Sequence, residues 1–123
     1  LTEQQAGASA KKYFHRVRPY QQFQEPTSVP QYESKTDFTS YPSGHTHVSW
    51  LVGLTLTAID PAHTEQIMKV AYELGQSRVI VGFHYQSDVD MGSVTFARLW
   101  ADESFQKMFD KARREFSRNG KAR

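Results

Sequence analysis

The 123 residues include no cysteine, which excludes disulfides and leaves the redox compartment unread. A long hydrophobic run is missing too. The most apolar stretch, residues 48–59, is interrupted by Ser49, Gly53, Thr55 and Thr57. That falls well short of the ~20 residues a spanning helix needs, so no membrane partner is expected. Neither sign of charge dominates: the net charge is +2, too small to imply a nucleic-acid partner. The basic excess gathers in Lys111, Arg113, Arg114, Arg118, Lys121 and Arg123, where cations suit the C-terminal end of a helix dipole. There is no convincing polar–apolar alternation for strands, no internal repeat and no low-complexity run. No signal peptide is visible, and the first residue is Leu1 rather than Met, which leaves room for a segment removed upstream.

What is present points to a single domain over residues 1–123 and to an all-α fold, a compact helical bundle. Hydrophobic residues make up 38% and charged ones 23%, values that suit a globular chain. Residues 3 to 17 are rich in helix formers, and Pro19 is expected to stop that helix. The polar stretch 20–43, with Pro26, Pro30 and Pro42, predicts a long loop before a central helix, functional or else a flexible lid. Its aromatic residues Phe23, Tyr32 and Phe38 are expected at a pocket rim. From Gly44 to Ile59 apolar residues surround the helix nearly completely, so it should be buried, with Gly53 permitting a close helix contact. Asp60 and Pro61 predict a cap and a first helical position. The next helix carries Ile67, Ala71, Leu74, Arg78 and Val81 on one stripe and should end near Gly82. Another should run from about Tyr85 to Leu99. The last should start at an Asp102 cap and bury Phe105, Met108, Phe109, Ala112 and Phe116.

Four features carry chemistry. Arg78 lies on an apolar stripe, where a cation costs several kcal/mol (~3–5) unless an anion or carboxylate pairs with it. Ser43, Gly44 and His45 stand where a loop becomes a helix. Ser43 is an ordinary cap candidate, yet a helix N-terminus also presents free N–H groups to an anion. His84 and Asp88 are four residues apart, a spacing that puts both on one helix face. A carboxylate on one imidazole nitrogen fixes the tautomer and leaves the other free to attack. Lys11 and Arg18, seven apart, would face the same way on one helix. Each feature alone has a bland explanation, as an ion pair, a cap or a solvated face. Together they form a set for phosphoryl transfer, with cations to hold phosphoryl oxygens, one histidine to attack and one to protonate the leaving oxygen. A metal-binding module built on His45 and His47 is disfavoured, because residues two apart on a helix point about 200° from each other.

Lys11-x6-Arg18-Pro19, Pro42-Ser43-Gly44-His45 and Ser77-Arg78-x5-His84-x3-Asp88 resemble the three-part signature of the phosphatidic-acid-phosphatase type 2 and vanadium haloperoxidase superfamily. The segments 41–46, 72–80 and 84–90 are further similar to bacterial class A non-specific acid phosphatases. The resemblance implies hydrolysis of phosphate monoesters of broad range through a phosphohistidine, with no metal and no cofactor. It implies that Lys11, Arg18 and Arg78 hold the phosphate, helped by Ser43 and the Gly44 N–H. His84 would be the nucleophile, Asp88 its orienting partner, and His45 the general acid and then the base. It also implies inhibition by vanadate and a periplasmic or secreted location. A vanadium-dependent haloperoxidase using the same pocket is the alternative. The family has further helices upstream of the Lys11 helix. The chain is therefore expected to be a C-terminal portion whose pocket is completed by a companion N-terminal chain or a homo-oligomer partner. Val81 stands where relatives often carry a disulfide cysteine, a departure that weakens the expectation of a periplasmic location.

Overall fold

A computed structural model describes the backbone of residues 3–121 and the side chains of residues 7–120. Lys121, as a side chain, and Arg123, both counted in the basic tail, lie outside them. The described residues form helices and connecting turns without strands, as the all-α reading requires. The order is α1 (Glu3–Phe14), α2 (Pro19–Gln22), α3 (Gly44–Ile59), α4 (Thr64–Val81), α5 (Gln86–Trp100) and α6 (Glu103–Lys121), with single 3-10 turns at Pro30–Tyr32 and Pro61–His63.

Helix α3 is central, packing most extensively on α4 and next on α5. Gly53 lets α4 approach: a Cβ there would lie 2.9 Å from that of Ala71. The burial of α3 is nonetheless one-sided. Val48, Val52 and Leu56 are 42–48% exposed on the flank away from α4 and α5, so the helix is not apolar-packed all round. Leu74 on α4 is 52% exposed beside them. Two helices cannot cover a helix that is apolar on every side, and among the described residues no third element packs extensively there.

The first helix is shorter than its composition predicts. It ends at Phe14, and His15 turns the chain with φ 45, in the left-handed region. Pro19 does not stop a helix but opens one. Arg18 before it is extended (φ −76, ψ 154), as a residue preceding proline must be, and the proline takes the first helical position of α2. The stretch 20–43 is a largely exposed excursion pinned by buried residues at Tyr20, Thr27, Ser40, Pro42 and Ser43. The buried Tyr20 hydroxyl donates to the Ser34 carbonyl and accepts from the Ser34 N–H, both at 3.1 Å.

Asp60 ends α3 and opens the 3-10 turn at Pro61. Its carboxylate takes the His63 imidazole at 2.7 Å rather than a backbone N–H, so it is not a side-chain cap. Gly82 closes α4 in the left-handed conformation (φ 98). Asp102 caps α6 by accepting from the Ser104 and Phe105 N–H groups. Phe96, Trp100, Phe105 and Phe109 form one aromatic cluster between α5 and α6. The rest of the α6 stripe is not buried: Met108 and Phe116 are 63% and 61% exposed, and Ala112 is exposed. The amphipathic pattern marks which face seeks cover, and α5 covers only its first turns.

Candidate active site

A cleft of about 1210 Å³ opens between α1, the exposed flank of α3 and one face of α4 from Gln66 to Arg78. Its polar end is walled by Lys11, Arg18, Gly44, His45, Arg78 and His84. These are six of the eight residues expected there, drawn from α1, the cap of α2, α3, α4 and the turn before α5. Ser43 and Asp88 stand behind the wall, fully buried.

Lys11 reaches in from the last turn of α1, its ammonium donating to the Thr39 carbonyl and, at 2.8 Å, to that of Pro42. Burial, then the neighbouring Arg18 cation, holds its pKa below the ordinary lysine value. Lys11 and Arg18 do not share a helix, as their spacing had implied. The chain breaks at His15, and Arg18 comes back to the same cleft as the cap residue of α2. Its guanidinium is fixed on four sides. Nε donates to Asp37 Oδ2 at 2.6 Å and Nη2 to Thr39 Oγ1 at 3.2 Å. Nη1 donates to the Phe83 carbonyl and to His84 Nε2, each at 3.0 Å.

Arg78 sits in the last turn of α4, with its guanidinium 5.6 Å from the Phe83 ring centroid. The carboxylate partner that a buried arginine would ordinarily have is not found among the described residues: no ion pair involves it, and its Nε is buried without a hydrogen-bond partner. Arg78 is half-buried at the cleft wall, and a cation so placed without a carboxylate partner leaves room for an anion from outside. The Arg78 carbonyl accepts from the N–H groups of Phe83 (3.1 Å) and His84 (3.2 Å), so the end of α4 also sets where His84 begins.

His84 lies in the turn before α5 rather than on the helix, and Asp88 is in the first turn of α5. The two still meet, with His84 Nδ1 3.4 Å from Asp88 Oδ2. The neighbours fix the tautomer. A buried ionised carboxylate only accepts, so Nδ1 carries the hydrogen; an arginine only donates, so Nε2 offers its lone pair to Arg18. That lone pair faces the cleft and the cations. Burial, with Arg18 and Lys11, depresses the His84 pKa below 6.5 against the opposing pull of Asp88. For Asp88, burial pushes upward, but hydrogen bonds from His84, Ser40 and the Tyr85 N–H, with the Arg16 cation, outweigh it and hold the carboxyl below its usual range.

His45, in the first turn of α3, is exposed to the cleft, and its pKa is lowered by partial burial and then by Arg78, His84, Arg18 and Lys11. His47 points the other way, to Thr95 Oγ1 (3.2 Å) and the Phe96 ring on α5. Ser43 is the cap of α3: its hydroxyl oxygen accepts from the Thr46 N–H (3.3 Å) and the Thr46 hydroxyl (3.0 Å). That work leaves the N–H groups at the start of α3 unpaired within the helix and at the cleft, a local anion site.

Four residues that sequence patterns had not singled out complete the arrangement: Arg16 and Ser40 on Asp88, Asp37 and Thr39 on Arg18. The one available signal was a rule, that a buried carboxylate needs a cation, and it does not say which cation. The aromatic rim is not where it was expected. Phe38 stacks on His15 at 4.4 Å, Phe23 meets Tyr85 edge-on, and Tyr32 is 73% exposed; none walls the cleft.

A cleft that ends in three cations, a helix N-terminus and two histidines is an anion-handling site on an all-α frame. The PAP2 superfamily model matches residues 3–112, and the chain belongs to that superfamily. It is 44% identical to a non-specific acid phosphatase of Salmonella typhi over 91% of this chain and 47% of the relative. It is 42% identical to a non-specific acid phosphatase of Providencia stuartii over 92% of this chain and 48% of the relative. An acid phosphatase of Zymomonas mobilis is 32% identical over 89% of this chain and 43% of its own length. The chain thus spans about half the length of the curated relatives it matches.

Proposed function

We propose that the protein carrying this chain is an acid phosphatase that hydrolyses phosphate monoesters of broad range through a phosphohistidine on His84. The observation that carries this is the orientation of His84. Its Nδ1–H is committed to Asp88, and its Nε2 lone pair is turned toward a cleft whose cations have room for an anion.

In this reaction Lys11, Arg18, Arg78 and the Gly44 N–H hold the phosphoryl oxygens. His84 Nε2 forms a bond to phosphorus as the bond to the leaving oxygen breaks, and His45 gives its proton to that oxygen. Neutral His45 then takes a proton from water, whose oxygen attacks phosphorus as the bond to Nε2 breaks. Inorganic phosphate is released and both histidines regain their starting states. The three cations neutralise the charge that a divalent metal otherwise would, so no metal or cofactor enters a step. Ser43 caps the start of α3 by accepting from Thr46, and its own hydroxyl hydrogen is left to help hold the phosphate.

The exposed apolar wall of the cleft, including Val48, Val52 and Leu74, supports a covering element: a companion N-terminal chain, an upstream segment, or a second copy. A half-length match to the relatives favours the upstream portion of a longer protein, and the mass of the native particle tests it. Periplasmic or secreted location rests on the resemblance to class A enzymes alone, and fractionation tests it. For the activity, the experiment is turnover of p-nitrophenyl phosphate by the whole protein after exhaustive chelation. Undiminished turnover is expected. Loss on chelation with recovery on adding zinc or magnesium contradicts the mechanism, and so does the absence of turnover.

A further inference from the structure

Asp88 is fully buried, and both of its oxygens are occupied. Oδ2 accepts from the Ser40 hydroxyl at 2.5 Å and from the Tyr85 N–H at 2.9 Å, and faces His84 Nδ1. Oδ1 is held by Arg16 Nη1 at 2.7 Å. The same nitrogen donates to Ser87 Oγ at 2.8 Å, and the guanidinium lies 4.0 Å from the Tyr85 ring centroid and 6.0 Å from that of Tyr41. The Arg16 carbonyl accepts the Ser40 N–H at 3.2 Å, so one residue fixes the carboxylate directly and also places the hydroxyl on its other oxygen. Arg16 is absent from the cleft wall, so it meets Asp88 from behind the site.

We propose that Arg16 is a positioning residue for the reaction, holding Asp88 in the rotamer that orients His84 while never touching the substrate. The inference rests on the reading of His84 as nucleophile. Two physical consequences follow. A carboxylate turns freely about two side-chain bonds, and three donors on two oxygens, together with the imidazole, remove that freedom. Its charge is also balanced: unopposed, Asp88 would draw a proton onto His84 and occupy the nitrogen that must attack. With Arg16 opposite, the field at His84 is set by the pair and by the groups facing the imidazole from the other elements. These are Lys11 on α1, Arg18 on α2, His45 on α3 and Arg78 on α4. All are cationic or neutral, and the nearby Asp37 is paired with Arg18, so loss of Arg16 removes positive charge and favours imidazolium.

The test uses the whole protein with Arg16→Met, Arg16→Gln and Arg16→Lys. Three quantities are read: kcat and KM for p-nitrophenyl phosphate across pH, the thermal midpoint, and the titration of the His84 imidazole by nitrogen NMR. In the neutral variants kcat should fall about 10–100-fold, as for other groups that orient a reacting side chain, with KM changed by less than about threefold. The His84 titration and the acidic limb of kcat/KM should both move upward by roughly half a pH unit or more. Arg16→Lys keeps the charge, so its titration should stay near the wild-type position and part of kcat should return. Where Arg16→Met does not fold, Arg16→Gln, which keeps bulk and a donor, is read in the same way. A neutral variant with a lowered thermal midpoint but unchanged kcat and an unchanged His84 titration makes Arg16 a structural ion pair and overturns the proposal. If the wild-type protein itself forms no phosphohistidine, the functional reading fails. The titration still decides whether Arg16 acts on His84 through Asp88.

Discussion

Arg18 Nη1 lies 3.0 Å from Nε2 of His84, so the cation that would hold a phosphoryl oxygen rests on the nitrogen that would attack phosphorus. Arg18 cannot swing away freely, because Asp37, Thr39 and the Phe83 carbonyl hold its other N–H groups. An entering anion therefore meets a guanidinium already at the apex of the site and shares its donors with the imidazole.

This arrangement predicts tight binding of vanadate. Five-coordinate vanadium places equatorial oxygens among Lys11, Arg18, Arg78 and the Gly44 N–H, with His84 apical. Transition-state analogues bind about 10²–10⁸-fold more tightly than substrates. Competitive inhibition by vanadate should exceed that by phosphate by about 10²-fold or more, and Arg18→Gln should erase most of the difference. Equal inhibition constants for the two anions in the wild-type protein would contradict a site shaped for in-line attack.

For the proposed mechanism, the direction of two pKa shifts predicts an acid optimum. His84 must be neutral to attack, and its pKa is pushed below 6.5 chiefly by burial, so it stays competent as the medium becomes acidic. His45 must be protonated to serve the leaving group, and burial, then Arg78, His84, Arg18 and Lys11, lowers its pKa as well, so that form is lost early as pH rises. Opposite requirements give a bell, and two lowered pKa values put its centre on the acidic side of 6.5. The limbs belong to the coupled pair rather than to either ring alone. A kcat/KM profile centred above 6.5 would count against these roles.

Gly92 makes the placement of the anion site sensitive to one methyl group. It lies on α5 against the start of α3, and a Cβ there would sit 2.7 Å from the Ser43 carbonyl oxygen and 2.8 Å from Thr46 Cβ. Neither atom is the loose end of a flexible side chain. Gly92→Ala gains about 1 kcal/mol of helix propensity, but overpacking costs typically ~1–3 kcal/mol. The net expectation is a lower denaturation midpoint together with a larger KM, as the N–H groups of α3 shift from the cleft. A stabilised variant with unchanged KM would show that α5 can retreat without disturbing α3.

Local chemistry explains why much of this was legible in the sequence. A cap marks the start of α3 and a glycine the end of α4, and the observed bounds fall at Ser43 and Gly82, where the residue types put them. Arg78 stood out as a cation on an apolar stripe and His45 by its place where a loop becomes a helix, whereas Lys11, Arg18 and His84 drew attention only as members of the joint set and the three-part signature. The pairings were less accessible. Arg16 and Asp88 are 72 residues apart, Ser40 and Asp88 are 48 apart, and nothing periodic connects them. The break at His15 was missed because a left-handed residue that is not glycine has no strong sequence mark. The exposed flank of α3 was misjudged because apolar pattern reports a demand for cover, not its supply within 123 residues.

The two histidines can be separated by what each variant accumulates. His84→Ala removes the only imidazole that Asp88 and Arg18 orient, so no phosphoenzyme should form with any substrate. His45→Ala leaves that imidazole in place and removes the proton donor. Poor leaving groups, such as alkyl phosphates, should then suffer most, by the roughly 10²–10⁴-fold that general acid–base help is worth. An activated aryl phosphate needs little protonation, so its first step should survive, while attack by water, which needs a base, should slow. The phosphoenzyme should therefore build up in His45→Ala. The measurement is an acid-free quench with labelled aryl phosphate, followed by mapping of the labelled peptide and its lability. A phosphoimidazole is lost in acid and kept in alkali, whereas a phosphoserine ester survives acid and an acyl phosphate is lost in both. Acid-labile, alkali-stable label on His84 is the expected result. Label on Ser43 or Asp88, or any phosphoenzyme in His84→Ala, would move the nucleophile elsewhere and leave the imidazole at position 84 as a ligand to the anion alone.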